Sequence, residues 1–355
     1  MKQSENTRKV LLEHVRRYPK LQIQDLFKLL HQSSFGCEHL VRSEEDAVLQ
    51  IQRELCDAGE ISGELVEELG GNYCRVSLGY VGAGLSASTL GNLFYMSAKR
   101  EESPIPSLEK KLKTTQQLIS QGELPFSLEE FSNSLGLWKS AGYPSLHHSE
   151  QFRALYRPAY RVISSRYLPF LPLLARLDSL KSETPAILAI EGPCASGKTT
   201  LSQLLEALYD CSVFHMDDFF LRPQQRTPER LAEIGGNVDR ERFLEEVLIP
   251  LSQNEPVTFS RFDCSTLTLS RPVTPAKKPL TVIEGSYSMH PDLSKYYTLS
   301  VFLDIPAETQ KNRILKRNSP EFARRFFSEW IPLEQRYFEN TSAKNRCDLV
   351  IPVLK

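Results

Sequence analysis

Eight consecutive residues, Gly192-Pro193-Cys194-Ala195-Ser196-Gly197-Lys198-Thr199, fit the pattern Gly-x-x-x-x-Gly-Lys-Ser/Thr without a mismatch. Each residue type in that pattern has a physical task. Glycines and small side chains let the backbone wrap closely around a phosphate, with successive amide N–H groups turned inward. A helix starting at Lys198 adds the partial positive charge of its N-terminus at the same point. The lysine ammonium reaches the β- and γ-phosphates of a nucleotide, and the Thr199 hydroxyl is placed to ligate Mg²⁺. An ordinary glycine-rich turn would account for the glycines. It would not account for a lysine at a helix start, where a cation is unfavourable unless it meets an anion. The expected ligand is ATP or a similar triphosphate, cradled by Gly192 through Thr200.

A phosphate site does not decide what becomes of the phosphate, and residues further along narrow the choice. His215-Met216-Asp217-Asp218-Phe219-Phe220 follows a short apolar run. A carboxylate there can take the proton of an attacking hydroxyl. Ile283-Glu284-Gly285 closes another apolar run, where an acid can hold Mg²⁺ directly or through a water. Arg313, Lys316 and Arg317 stand at i, i+3 and i+4 and share one helix face. Such a stripe is often only solvated, but beside a triphosphate it can neutralise the phosphoryl group in transfer.

These residues need elements to hold them. From Pro185 onward, short apolar runs alternate with helical patterns. Strands are expected over 186–190, 211–215, 280–283, 299–303 and 349–351. Helices are expected over 200–209, 239–251, 306–316 and 320–338, with Asp239 as an N-cap. Runs that are apolar throughout suit strands buried on both faces of a parallel sheet. The alternation predicts a three-layer α/β domain of the P-loop NTPase type, residues 181–355. Residues 1–180 read as a mostly helical domain, including 44–69, with one strand at 73–78. Phe152, Tyr156, Tyr160 and Tyr167 recur near helical spacing and read as core packing.

In this order and spacing, the C-terminal residues resemble the uridine kinase and phosphoribulokinase family of P-loop kinases over about residues 185–355. Asn237-Val238-Asp239, Glu284-Gly285, Arg313-Ile314-Leu315-Lys316-Arg317 and Cys347-Asp348-Leu349-Val350-Ile351 are similar to that family's segments. The resemblance implies Asp217 as catalytic base, with Lys198 and Arg317 stabilising the transferring group. It implies Arg313 and Lys316 on the nucleotide, Asp239 and Phe262 on the acceptor, and Thr199 and Glu284 on Mg²⁺. One stretch departs from the family. Phe262-Asp263-Cys264-Ser265-Thr266-Leu267 has Cys264 where an aromatic is expected and Leu267 where a histidine reads the base. Leucine cannot hydrogen-bond a base edge, so uridine is not the expected acceptor. A nucleoside-like or sugar-like hydroxyl compound is.

Composition sets outer limits. The chain has 355 residues, 43 lysines and arginines against 44 acids, and a net charge of -1. That balance gives no bulk attraction to nucleic acid, and no run of apolar residues is long enough to span a membrane. The charged N-terminus and seven cysteines without a CxxC pair predict a reducing, cytoplasmic setting. Self-association is compatible with all of this. His31, His39 and His148 could be drawn into a metal site, although capping and core roles are the commoner fate of such residues. A regulatory module that binds ATP with little or no turnover is the alternative to a kinase. The paired Asp217 and Asp239 favour the kinase, since a sensor needs no acceptor pocket.

Overall fold

The structure, a computed structural model, describes residues 2–37, 43–57, 61, 63–98, 104–180 and 185–353. It comprises two compact units, Met1–Ser179 and Leu180–Lys355. Residues 181–184, which mark the boundary expected from sequence, lie outside the described residues. Among the described residues, no helix is long and apolar enough to cross a membrane.

The first unit combines helices with an antiparallel sheet of β1 (Val66–Glu68), β2 (Tyr73–Ser77) and β3 (Tyr160–Ser164), in that order. Leu26, Leu29 and Leu30 bury one face of the helix Ile23–Phe35, as their spacing requires. Two expectations are corrected here. The helix from Glu44 ends at Asp57, and Val66–Glu68 is a strand, because β2 supplies a pairing edge that local pattern cannot show. Tyr160 lies on a strand and not on a helix with Phe152 and Tyr156. The helix Glu150–Tyr156 stops where Arg157 turns left-handed (φ 40°) ahead of Pro158.

A chain of hydrogen bonds runs through this unit's core. His14 Nδ1 meets Glu67 at 2.7 Å, and Arg75 Nη1 donates to Glu67 at 2.9 Å. Arg75 also donates to Gln32 Oε1 at 2.9 and 2.7 Å, and Gln32 Nε2 donates to Tyr160 Oη at 3.2 Å. His148 Nε2 lies 2.7 Å from Tyr160 Oη, and its Nδ1 lies 3.0 Å from Asp25. Buried charges need such partners. His148 therefore has both ring nitrogens engaged by protein, and His31 stacks on Phe35 with centroids 4.3 Å apart. His39 lies outside the described residues, among which no group of three or more metal-ligating side chains occurs.

The second unit is built on five parallel strands: β4 (Ala186–Glu191), β5 (Cys211–His215), β8 (Leu280–Glu284), β9 (Leu299–Asp304) and β10 (Leu349–Pro352). Their order is β10-β9-β4-β8-β5, with a separate hairpin of β6 (Phe262–Asp263) and β7 (Thr268–Leu269). β8 is buried along its whole length and β9 nearly so, which explains their unbroken apolar sequence. The helices fall where expected, within a residue or two at most ends. The runs 240–252 and 320–341 each contain a π-helical turn, at Leu244–Leu248 and Phe326–Trp330. Phe214, Phe219, Phe243, Phe259 and Ile283 pack into the core on the β5 side. β4 sits mid-sheet, so the loop leaving its carboxyl end opens at the position where ligands bind in open α/β sheets.

Candidate active site

The loop after β4 takes a shape that its glycines permit. Gly192 has φ 147°, and a Cβ there would lie 2.7 Å from the Leu303 carbonyl oxygen. Gly197 (φ 105°) caps the helix Lys198–Leu208, and Ala195 is left-handed at φ 60°. Among the described residues, the amides of Ala195, Gly197, Lys198 and Thr199 donate to no backbone carbonyl. The Ser196 hydroxyl is buried with no partner among the described residues. Open amides and an orphaned hydroxyl at a helix N-terminus suit the oxygens of a phosphate chain. Lys198 Nζ donates to Gly192 O at 2.7 Å, Pro193 O at 3.0 Å and Ser286 Oγ at 3.3 Å. Arg313 Nη1 donates to Ala195 O and Ser196 O at 3.2 and 3.3 Å, and Gln310 Nε2 to Cys194 O at 3.0 Å. Burial, reinforced by the Glu334 carboxylate, pushes the Cys194 thiol up to about 12, so it is not a nucleophile at neutral pH.

Acidic side chains gather at the carboxyl ends of β8 and β5. Glu284 and His215 are register partners on adjacent strands, and His215 Nδ1 lies 2.6 Å from Glu284 Oε1. That hydrogen bond raises the imidazole above its ordinary value. Thr199 Oγ1 donates to the same Glu284 oxygen at 3.2 Å. A hydroxyl and a carboxylate this close are hard oxygen donors suited to Mg²⁺. Asp217 follows, two residues past β5. Its side chain is solvent-accessible, and among the described residues its carboxylate has no hydrogen-bond partner. Crowding by surrounding protein raises its pKa, Lys198 pulls it back, and Glu284 raises it further. Those influences place Asp217 within electrostatic reach of both the loop lysine and Glu284. Asp218 faces Arg261 instead, at 3.5 Å.

Other residues singled out in the sequence have different fates. Lys316 and Arg317 lie exposed on the helix that carries Arg313, with Arg317 above the Phe326 ring at 5.9 Å. Phe262 is buried beneath Arg226, 5.8 Å from its ring centroid. Asp239 does not join the open cluster. It is buried, caps the Arg242 N–H at 3.2 Å and accepts from Gln225 Nε2 at 2.8 Å. Its capping role is met, and its carboxylate is engaged by these two protein donors. Leu267 stands exposed at the hairpin tip, while Cys264 on the same hairpin feels the charge of Asp217.

Four residues around the loop escaped sequence reasoning: His215 as the partner of Glu284, Ser286, Glu191 and Glu334. Glu191 is fully buried and accepts from Gly192 N at 2.8 Å, Met289 N at 2.9 Å and Tyr337 Oη at 3.0 Å. Burial pushes it up to about 7 despite those donors. Its position just before the loop is visible in sequence, but nothing there marks it as part of the site.

No family model and no curated protein matches the chain. Solved structures similar to it include a possible uridine kinase from Bacillus stearothermophilus, at 22% identity and TM-score 0.43, covering 53% of this chain and 99% of that one. Another is described as a fructose transport system kinase from a Silicibacter species, at 24% identity and TM-score 0.38, covering 51% of this chain and 95% of that one. What the site can do rests on its own geometry. The parallel sheet, the loop closing on Lys198 and the helix that follows give the C-terminal unit a three-layer α/β fold of the P-loop NTPase type.

Proposed function

We propose that the chain is an ATP-dependent phosphotransferase acting on a hydroxyl of a small polar metabolite. One combination carries this reading: a loop of open amides whose Lys198 charge acts on Asp217, an accessible carboxylate with no hydrogen-bond partner among the described residues. A binding module has no use for such a carboxylate. The loop amides and Lys198 hold the phosphates. Arg313, fixed on the loop carbonyls, adds positive charge, and Lys316 and Arg317 lie on the same helix face. Thr199 and Glu284 would hold Mg²⁺, which would supply charge neutralisation on the phosphate oxygens. Asp217 orients the acceptor hydroxyl and takes its proton as the hydroxyl oxygen bonds to the γ-phosphorus. The bond from that phosphorus to the β–γ bridging oxygen breaks, and its electron pair leaves with ADP. Crowding makes Asp217 a stronger base than an ordinary carboxylate.

The acceptor is sugar-like or nucleoside-like, and Leu267 weighs against uridine. The test is ADP release over nucleosides, sugars, hydroxy acids and oligonucleotides. One responsive class is expected. Lys198→Ala should abolish turnover. Asp217→Asn should cut it by about 10²–10⁴-fold while ATP still binds. Undiminished transfer by Asp217→Asn would remove that residue from the mechanism.

A further inference from the structure

We propose that Glu334 is an internal anion of the nucleotide site, a carboxylate that occupies part of the phosphate loop and opposes the charge of an incoming triphosphate. The proposal rests on the reading of this loop as a nucleotide site. Glu334 lies on the helix Ile331–Thr341 and is only 6% exposed. Its oxygens accept from Cys194 N at 2.9 and 3.1 Å and from Ser286 Oγ at 2.6 Å. Ser286 Oγ in turn accepts from Lys198 Nζ at 3.3 Å. The lysine that should meet phosphate is thus linked through one hydroxyl to a carboxylate of the protein itself.

The loop amides divide into those engaged by protein and those left open. Gly192 N donates to Glu191, Cys194 N to Glu334 and Ser196 N to Pro193 O, whereas Ala195, Gly197, Lys198 and Thr199 find no acceptor among the described residues. A negative charge therefore sits at the margin of the region left for an anion. A simple tie between helix and loop does not require that charge. Tyr337, one turn further along the same helix, already anchors it through Glu191 at 3.0 Å. A neutral side chain at 334 could accept the same amide hydrogen. The influence of Glu334 also reaches Asp217, Cys194 and Tyr287, so its charge is felt across the site.

The charge has a measurable consequence. Removing it while keeping an acceptor oxygen should tighten triphosphate binding, and salt should erode the gain. The experiment is calorimetric titration of the full chain with ATP and Mg²⁺, at low and at high ionic strength. Glu334→Gln should bind ATP about tenfold more tightly than wild type at low ionic strength, with a smaller gain at high. Glu334→Asp withdraws the same charge by one methylene. It should show part of the gain, and it keeps the test open if the glutamine variant does not fold. A structural tie predicts no gain: weaker or unchanged binding in both variants, at either ionic strength. That result, with wild type binding ATP, overturns the proposal and leaves the nucleotide site standing. If neither wild type nor variants bind ATP, the nucleotide site itself falls and the proposal with it.

Discussion

Asp217 shows what a residue gains from its surroundings. Two neighbouring aspartates follow β5, but Asp218 faces Arg261 in an ion pair at 3.5 Å, whereas Asp217 has neither a hydrogen bond nor an ion pair among the described residues. Crowding and the nearby Glu284 raise Asp217, which sets a pH signature. The base must be ionised to act, so activity rises as pH climbs through the raised value. The acid limb of kcat/KM should lie above about pH 4, the ordinary carboxylate range, and Asp217→Asn should abolish it. A limb at or below that range would show the carboxylate to be more solvated than this geometry implies. Asp217 was legible in the sequence because it follows an apolar run within a recognisable segment. Ser286 and Glu334 were not, because they join the loop only across the fold, Ser286 at Gly192 from 94 positions away and Glu334 at Cys194 from 140.

Strands and loops were legible where one run carries its own signal. β5 needs no partner to be seen, since its apolar run has strand length and is bounded by Asp210 and Asp217. β1 has three residues and exists because β2 lies beside it. β3 begins after Arg157-Pro158 ends a helix, so aromatic spacing that crosses that break misleads. Asp239 shows how one residue can carry two signals, for beside the expected ligand contact its carboxylate caps the Arg242 N–H and accepts from Gln225. At the loop, the requirement for glycine is steric as well as conformational. Gly192→Ala would place a methyl 2.7 Å from the Leu303 carbonyl oxygen, on a backbone angle of 147°. It should lower stability by about 1–3 kcal/mol and weaken ATP binding. The urea midpoint together with a binding isotherm checks this. An unchanged midpoint would mean that β9 yields to the added methyl.

At the scale of the whole molecule, the chain divides into two compact units, Met1–Ser179 and Leu180–Lys355. What the first unit does was not legible, because its polar residues form a network only after folding. That network still has a predictable cost in acid. Burial pushes Asp25 up, but donors from His148, Gln22 and Ser149 outweigh it and bring the carboxyl from 3.8 to about 2. A depressed carboxylate stabilises above its unfolded value and loses that contribution as pH falls toward the folded one. Asp25 should therefore contribute about 2 kcal/mol at neutral pH that disappears between about pH 4 and pH 2. Asp25→Asn should lower the melting temperature at pH 7 and flatten its fall in acid, with ATP affinity unchanged. An Asp25→Asn protein as acid-sensitive as wild type would contradict this. The sheet order has a different kind of consequence. The phosphate loop leaves the middle strand, while Asp217 follows β5 at the rim, beside a hairpin that touches little else of the sheet. On the proposed function, exchanging residues 262–269 should therefore alter acceptor preference at the margin while ATP binding at the centre stays as it is.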